Sequence, residues 1–244
     1  MPRSIHRLHE VLSKPGGSWS DLSPGERLRW LAECRRLRNN YAVERTLGAP
    51  EVFVAGIDET GRGPLAGPVA AAAVILPFGC LIPGLNDSKR LTRSQRDAMY
   101  LAICRRALAI GVACRSAPDI DEIGINAANF SAMRRAASRL LIRPGAVIVD
   151  GRQMIPGLSL TQRTLIRGDQ KSNSVAAASI VAKVVRDRIM IWHHRHYPQY
   201  DLVNNVGYST PAHRRALEEY GATPLHRQSF LHLDSVQQMN LFSE

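Results

Sequence analysis

Long apolar runs are what this sequence most plainly lacks. No stretch of its 244 residues approaches the roughly 20 apolar residues that span a bilayer. The opening MPRSIHRLHE has no apolar centre of the kind a secretory leader carries. Cysteine is scarce: Cys34, Cys80, Cys104 and Cys114 stand apart without CxxC or His-paired spacing, which argues against a zinc site and a disulfide framework and fits a reducing cytoplasm. Internal repeats and low-complexity tracts are missing. So is a nucleotide-binding loop, because the glycines at 61, 63 and 67 read G-x-G-x-x-x-G, with Pro64 among them, and no P-loop pattern occurs. Acids are the minority charge, 21 against 32 Lys and Arg, for a net charge of +11. Such a field favours polyanions, and the arginine fork suits phosphate oxygens, so the expected partner is nucleic acid.

Hydrophobic residues make up 45% of the chain, enough for a sizeable core. Residues 1–50 read as a helical N-terminal extension. Ser23-Pro24 starts a charged helix that carries Leu28, Leu31, Ala32 and Leu37, best described as solvated. Residues 51–230 hold the main domain and 231–244 a tail. Short apolar runs bounded by Gly or Pro predict strands at VFVAGID, PVAAAAVILP, GVACRSAP and AVIVD, with a short one within GCLIPGLNDSKRLT and a further extended segment in SLTQRTLIRGD. Between them lie helical patterns. One starts at Ser94 as N-cap with Asp97 in the capping-box position. Another runs unbroken through DEIGINAANFSAMRRAASRLL, with Ile125, Phe130, Met133, Ala137 and Leu140 on one face. A long third is SNSVAAASIVAKVVRDRIMIWHHRHY, whose alanines allow close packing on a sheet. A last helix opens at Thr210-Pro211 and closes at Gly221. This order predicts an α/β fold, a mixed sheet flanked by helices.

Asp58 and Asp150 each close a predicted strand immediately before glycine or a turn, and Asp169 stands at the boundary before the long helix. Crowded carboxylates raise one another's pKa, and a hard divalent cation such as Mg²⁺ or Mn²⁺ removes that penalty. Glu59 is awkward, since neighbours on a strand face opposite ways. It joins the cluster only if the strand bends or if its backbone carbonyl is the ligand. Gly61-Arg62-Gly63 places a cationic fork between two glycines whose backbone can approach a phosphate or sugar closely. Acids beside such a loop suit metal-assisted hydrolysis of a polynucleotide backbone.

These segments resemble a known family. GIDETGRGPLAGPV, NDSKRLT, IDEIGINAANFSAMRRA, VIVDG, IRGDQKSNSVAAASIVAKVVRDRIM, GYSTPAH and HRQSF occur in order from about residue 52 to 230 and are similar to the ribonuclease HII family, the bacterial type 2 ribonucleases H. The resemblance implies a ribonuclease H-like, mixed five-stranded sheet with a C-terminal helical part. It implies an endoribonuclease that hydrolyses the RNA strand of RNA–DNA hybrids and cuts 5′ to ribonucleotides embedded in duplex DNA. Two Mg²⁺ or Mn²⁺ ions would act at Asp58, Glu59, Asp150 and Asp169, leaving 3′-hydroxyl and 5′-phosphate ends. It further implies that the loop of Gly61, Arg62 and Gly63 senses the 2′-hydroxyl and that Tyr208 packs on the following sugar. Asn86, Ser88, Lys89, Lys171, Ser172 and Lys183 are the expected backbone-phosphate contacts. Thr60 and Val206 depart from the family pattern, where alanine and a basic residue are usual.

His193, His194 and His196 cluster at a helix end with no acid or cysteine to complete a metal site, so they read as solvated. His213 and His226-Arg227 read as supports of the site or as phosphate contacts. The tail sequence from Gln237 to Phe242 resembles a sliding-clamp peptide. The chain is expected to act as a cytoplasmic monomer without membrane contact. The rival readings are a ribonuclease HIII-like nuclease, which normally carries a sheet-forming N-terminal domain, and a non-catalytic nucleic-acid-binding protein.

Overall fold

The computed structural model describes residues 18–231. After two N-terminal helices, α1 (Pro24–Asn39) and α2 (Ala42–Thr46), the chain forms β1 (Val54–Thr60), β2 (Val69–Ile75), α3 (Arg93–Arg106), β3 (Ala109–Arg115), α4 (Ala117–Ile123) and α5 (Ile125–Ser138). It continues through β4 (Ala146–Asp150), β5 (Thr161–Leu165), α6 (Gly168–Lys171), α7 (Asn173–His194), α8 (Leu202–Asn205), α9 (Pro211–Tyr220) and α10 (Gln228–Leu231). The five strands make one sheet in the order β3-β2-β1-β4-β5. β2 is antiparallel to both its neighbours, whereas β1, β4 and β5 run parallel.

Both faces of the sheet are covered, which is why β2 reads VAAAAVI with every residue buried and no polar alternation. On one face Ala72 and Val74 meet α7 and the α3 residues Met99 and Ile103. On the other, Ala71, Ala73 and Ile75 meet Ala132, Met133 and Ala136 of α5. Small residues set the spacing. A Cβ on Gly56 would lie 2.1 Å from the Ser174 carbonyl carbon, and one on Gly111 would lie 2.1 Å from the Ala136 oxygen. Glycine at these two points lets helix backbone touch strand backbone, which holds the N-terminal end of α7 against the middle of β1.

Several sequence expectations are corrected here. No strand forms between residues 79 and 92; its turn formers and polar side chains give loops and a 3₁₀ turn, Ser88–Arg90. The N-cap of α3 is Thr92, not Ser94, because Thr92 and Gln95 form the reciprocal capping box while Asp97 reaches Arg188 instead. The predicted helix through residues 121–141 is two helices, broken at Gly124 in a left-handed conformation with φ +78°. Asp58 does not end its strand, since β1 stays paired with β2 as far as Thr60 opposite Ala70.

The N-terminal helix is half embedded, not simply solvated. Ser23 caps α1 through a capping box with Glu26. Leu28 and Leu31 are exposed, but Leu37 is buried in a cluster with Ile82, Leu85 and Ile103, and the buried Tyr41 donates its hydroxyl to the carbonyls of Pro77 and Cys80. At the other end, α9 starts at its Thr210 cap and stops at Gly221 (φ +74°), as the sequence indicates. Among the described residues, no helix is long and apolar enough to cross a membrane. The clamp-like segment Gln237 to Phe242 lies outside the described residues.

Candidate active site

Strand register brings the acids together. β1 and β4 run parallel with Ile57 opposite Val149, so Asp58 and Asp150 stand side by side one step further on. Strand alternation turns both toward the α7 face. The next acid arrives from β5, which pairs Leu165 with Asp150 before the chain turns through Arg167 (φ +56°) into α6 and Asp169. Asp150 Oδ1 accepts the Gly168 N–H at 2.6 Å, tying the two segments together.

Burial pushes the Asp58 carboxyl well above its ordinary pKa, and the nearby Glu59 and Asp150 add to the rise. Ser179 from α7 and the Glu59 N–H, 2.7 Å from Asp58 Oδ1, act the other way through hydrogen bonds. Glu59 is raised by burial, with Arg62 opposing and Asp150 reinforcing. Asp169 is pushed up to about 6, first by burial and then by Asp87 and Asp150. Asp87 and Ser179 were not singled out from the sequence. Asp87 sits inside the NDSK turn and Ser179 in an alanine-rich helix, where neither has a distinguishing local signal.

Glu59 leaves β1 from the opposite face by strand alternation, yet at the strand's end its carboxylate stays close enough to interact with Asp58 and Asp150 and stands 3.8 Å from Arg62. Arg62 in turn donates to Asn126 Oδ1 at 2.7 Å.

The loop carrying Gly61 to Gly63 is held from behind by two fully buried arginines. Arg227 donates to the carbonyls of Gly61, Arg62 (2.8 Å) and Gly67 (3.0 Å). Arg186 donates to those of Pro68 (2.8 Å), Ala66 (3.1 Å) and Val206 (3.0 Å). Burial, then the proximity of Arg186, pulls the Arg227 guanidinium down to about 9. Tyr208 belongs to the same unit. Its neighbour Gly207 accepts the N–H groups of Leu65 and Ala66, and its own carbonyl lies 2.9 Å from His213 Nδ1. The Thr223 N–H donates to His226 Nδ1, so His226 Nε2–H donates to His213 Nε2 at 3.0 Å, leaving His213 Nδ1–H for Tyr208. Both imidazoles are pushed down by burial, His226 to about 4, as neutral donors in a fixed chain. Val206, the departure noted in the sequence, is a β-branched residue at φ +44°, a strained placement that Arg186 secures through its carbonyl.

The other expected contacts divide by exposure. Lys89 and Lys171 are exposed, and Tyr208 is 43% exposed beside the loop. Ser88 is buried, with its hydroxyl 2.9 Å from that of Ser179. Asn86 accepts the Asp87 N–H. Lys183 is half-buried against Asp187 at 2.7 Å. Ser172 is fully buried as the cap of α7, accepting from the Val175 N–H and donating to Glu44. As placed, its hydroxyl is spent inside the protein and not offered to a substrate.

A divalent cation fits the chemistry of the acid cluster. Its donors are hard carboxylate oxygens. Despite the surplus of basic residues, no cationic side chain of the described residues lies within salt-bridge distance of Asp58, Asp150 or Asp169. Among the described residues no three acid, imidazole or thiol groups converge as placed into a ready-made ligand set. Asp58 and Asp150 each have one oxygen turned to a backbone N–H, so ion binding would recruit the remaining oxygens.

A mixed sheet whose adjacent strands bring carboxylates together beside a glycine-arginine-glycine loop defines a nuclease of the ribonuclease H fold. Residues 55–233 match the sequence family described as Ribonuclease HII, and the chain belongs to that family. The Ribonuclease HII of Syntrophus aciditrophicus (strain SB) is 48% identical over 193 residues, covering 78% of this chain and 91% of that protein. The crystal structure of ribonuclease H2 from Pyrococcus horikoshii OT3 superposes with a TM-score of 0.65 at 29% identity, covering 72% of this chain and 92% of that one. RNase HII of Archaeoglobus fulgidus, solved in a complex with PCNA, gives 0.62 at 26%, covering 76% and 99%. Bst-RNase HIII in complex with Mn²⁺ shares the fold alone, at 18% identity and a TM-score of 0.58, covering 98% of this chain and 80% of that one. The protein is accordingly a hydrolase, an endoribonuclease acting on RNA–DNA hybrids, and enzymes of this kind depend on divalent metal.

Proposed function

We propose that this endoribonuclease cuts on the 5′ side of a ribonucleotide, both in RNA–DNA hybrids and at single ribonucleotides embedded in duplex DNA, leaving 3′-hydroxyl and 5′-phosphate ends. The observation that carries the reading is the parallel register that sets Asp58 beside Asp150. Asp58, Asp150 and Asp169 would hold two Mg²⁺ or Mn²⁺ ions through their carboxylates. Glu59 would join them through its carboxylate, which lies near Asp58 and Asp150, or through its backbone carbonyl. When bound, such ions supply activation of a water nucleophile and stabilisation of the departing oxygen.

The remaining work falls to the chain itself. Backbone groups of Gly61 to Gly63 meet the 2′-hydroxyl, and a site built around that hydroxyl leaves polar groups unpaired on DNA, which discriminates strongly. Tyr208 offers its exposed ring to the next sugar, at a fixed offset from the loop because the two arginines and the histidine chain lock them together. Lys89 and Lys171 reach backbone phosphates. Asn86, Ser88, Ser172 and Lys183 act from within, shaping the turns that carry those groups. The enzyme acts as a monomer in the cytoplasm.

The deciding experiment is a duplex DNA with one ribonucleotide, incubated with and without Mg²⁺. Cutting 5′ to the ribonucleotide, only with metal, is the expected result. Cleavage of a continuous hybrid without cutting at the single ribonucleotide would favour a ribonuclease HIII-like activity, and binding without any cutting a non-catalytic protein. For the tail, the Archaeoglobus relative was solved in complex with PCNA, and Gln237 to Phe242 is the segment of this chain whose sequence resembles a clamp peptide. Removing residues 236–244 should weaken clamp affinity by roughly tenfold or more. An unchanged affinity would refute it.

A further inference from the structure

The N-terminal helices reach the acid site from behind. Asn40 Nδ2 donates to the Gln170 carbonyl at 3.2 Å, one residue from Asp169. The Ser172 hydroxyl donates to Glu44 Oε1 at 2.7 Å, and Asn173 Nδ2 donates to the Leu37 carbonyl at 2.7 Å. Three successive ties thus fall on the short segment that carries Asp169. The same helix holds a second segment: Glu33 accepts the Gly84 N–H at 3.0 Å and Arg36 donates to the Leu85 carbonyl at 2.7 Å, just before Asn86 and Asp87. The bonds of Glu33 to Gly84, Ser172 to Glu44 and Asn173 to Leu37 are buried, and those of Asn40 and Arg36 are part-buried.

We propose that residues 33–44 are a positioning brace for the catalytic centre, fixing the Asp169 segment and the Asn86–Lys89 turn at a set separation. The inference rests on the reading of Asp169 as a metal ligand and goes beyond it by giving the N-terminal helices a role in the reaction. The physical case is one of leverage. α6 has four residues and follows a left-handed Arg167, so it has little rigidity of its own. A carboxylate displaced by about 1 Å can cost as much as 100-fold in rate. Five hydrogen bonds from outside the sheet hold these two segments.

The test compares full-length wild type, Asn40→Ala, Asn40→Ala/Glu44→Ala, Glu44→Gln, Asp169→Asn and Ser116→Ala. Ser116 caps α4 and makes none of these bonds, so its loss controls for general destabilisation. Two readouts are taken beside thermal unfolding: Mn²⁺ binding followed by electron paramagnetic resonance, and kcat with KM on an RNA–DNA hybrid. The brace predicts that the double variant binds Mn²⁺ several-fold more weakly and loses about tenfold in kcat with KM unchanged. Asn40→Ala moves the same way by less. Glu44→Gln, which keeps an acceptor for Ser172, behaves as wild type, and Ser116→Ala changes neither readout. Should the double variant be too unstable to purify, Asn40→Ala alone decides. Wild-type binding and kcat in Asn40→Ala and in the Asn40→Ala/Glu44→Ala double variant, with both lost in Asp169→Asn, would overturn the brace alone. An Asp169→Asn enzyme that binds Mn²⁺ and cuts normally would overturn the metal assignment and the brace with it.

Discussion

Asp58→Asn is expected to abolish cleavage, by about a thousandfold or more, while the folded protein gains stability in the absence of metal. The two effects have one cause. Asp58 is buried beside Glu59 and Asp150, with no cationic side chain of the described residues within salt-bridge distance, so its folded-state pKa is raised. A carboxyl raised in this way favours the fold below its unfolded pKa and increasingly opposes it as pH rises through its folded-state value. Asparagine removes that opposition yet keeps an oxygen for the Glu59 N–H. Each unit of pKa displacement corresponds to roughly 1.4 kcal/mol, so the gain should be visible as a higher unfolding midpoint in chelator. Added Mn²⁺ should then raise the midpoint of wild type much more than that of the variant. Hybrid binding in Ca²⁺ should persist. Normal cleavage by Asp58→Asn would remove the residue from the mechanism. A lower midpoint in chelator would show that its carboxylate is a stabilising structural group instead.

Gly61→Ala should be the most damaging small substitution in the loop of Gly61 to Gly63. Its φ of +86° belongs to the left-handed region, and a Cβ there would lie 2.1 Å from Arg186 Nε, 2.5 Å from Arg186 Cδ and 2.8 Å from the Pro68 oxygen. The arginine cannot retreat freely, because its other nitrogens are bonded to the carbonyls of Ala66 and Val206. Relief must come from the loop moving outward, toward the space a substrate sugar would occupy. Backbone strain plus overpacking is expected to cost about 2–4 kcal/mol in denaturant unfolding. Cleavage at a single embedded ribonucleotide should fall further than cleavage of a continuous hybrid, since a lone 2′-hydroxyl offers no second register to compensate. Equal losses on the two substrates would mean that the loop supports the fold without reading the sugar. An unchanged midpoint would mean that Arg186 does not pin the loop.

Much of this was legible from local signals. The apolar runs gave four of the five strands, and Ser23, Thr210 and Gly221 marked helix ends because a cap needs only residues within one turn. The fifth strand, TQRTL, was seen only as extended, since its polar, partly exposed residues give no apolar pattern. The false strand near residue 85 failed for the opposite reason: an apolar scatter among turn formers buries Ile82 and Leu85 without a ladder. At the candidate site, the residue types of Asp58, Asp150 and Asp169 were enough to suspect a metal-assisted hydrolysis. Asp87 and Ser179 were not visible, because their closeness to the acids arises from segments far apart in the chain.

The sequence by itself determined the chemistry on offer: hard-oxygen ligands near element ends, an arginine between glycines, a surplus of positive charge, and family membership through motifs spaced along most of the chain. Tertiary structure decided the use of each group. Register turned Asp58 and Asp150 to one face and Glu59 to the other. Packing consumed Ser172 and Lys183 inside the protein, and Arg227 reached back 166 residues to hold Gly61. The reason is one of range. Periodicity, caps and turns are fixed by neighbours a few residues apart, whereas a buried donor takes whichever acceptor the completed core brings to it, and no local pattern records that pairing.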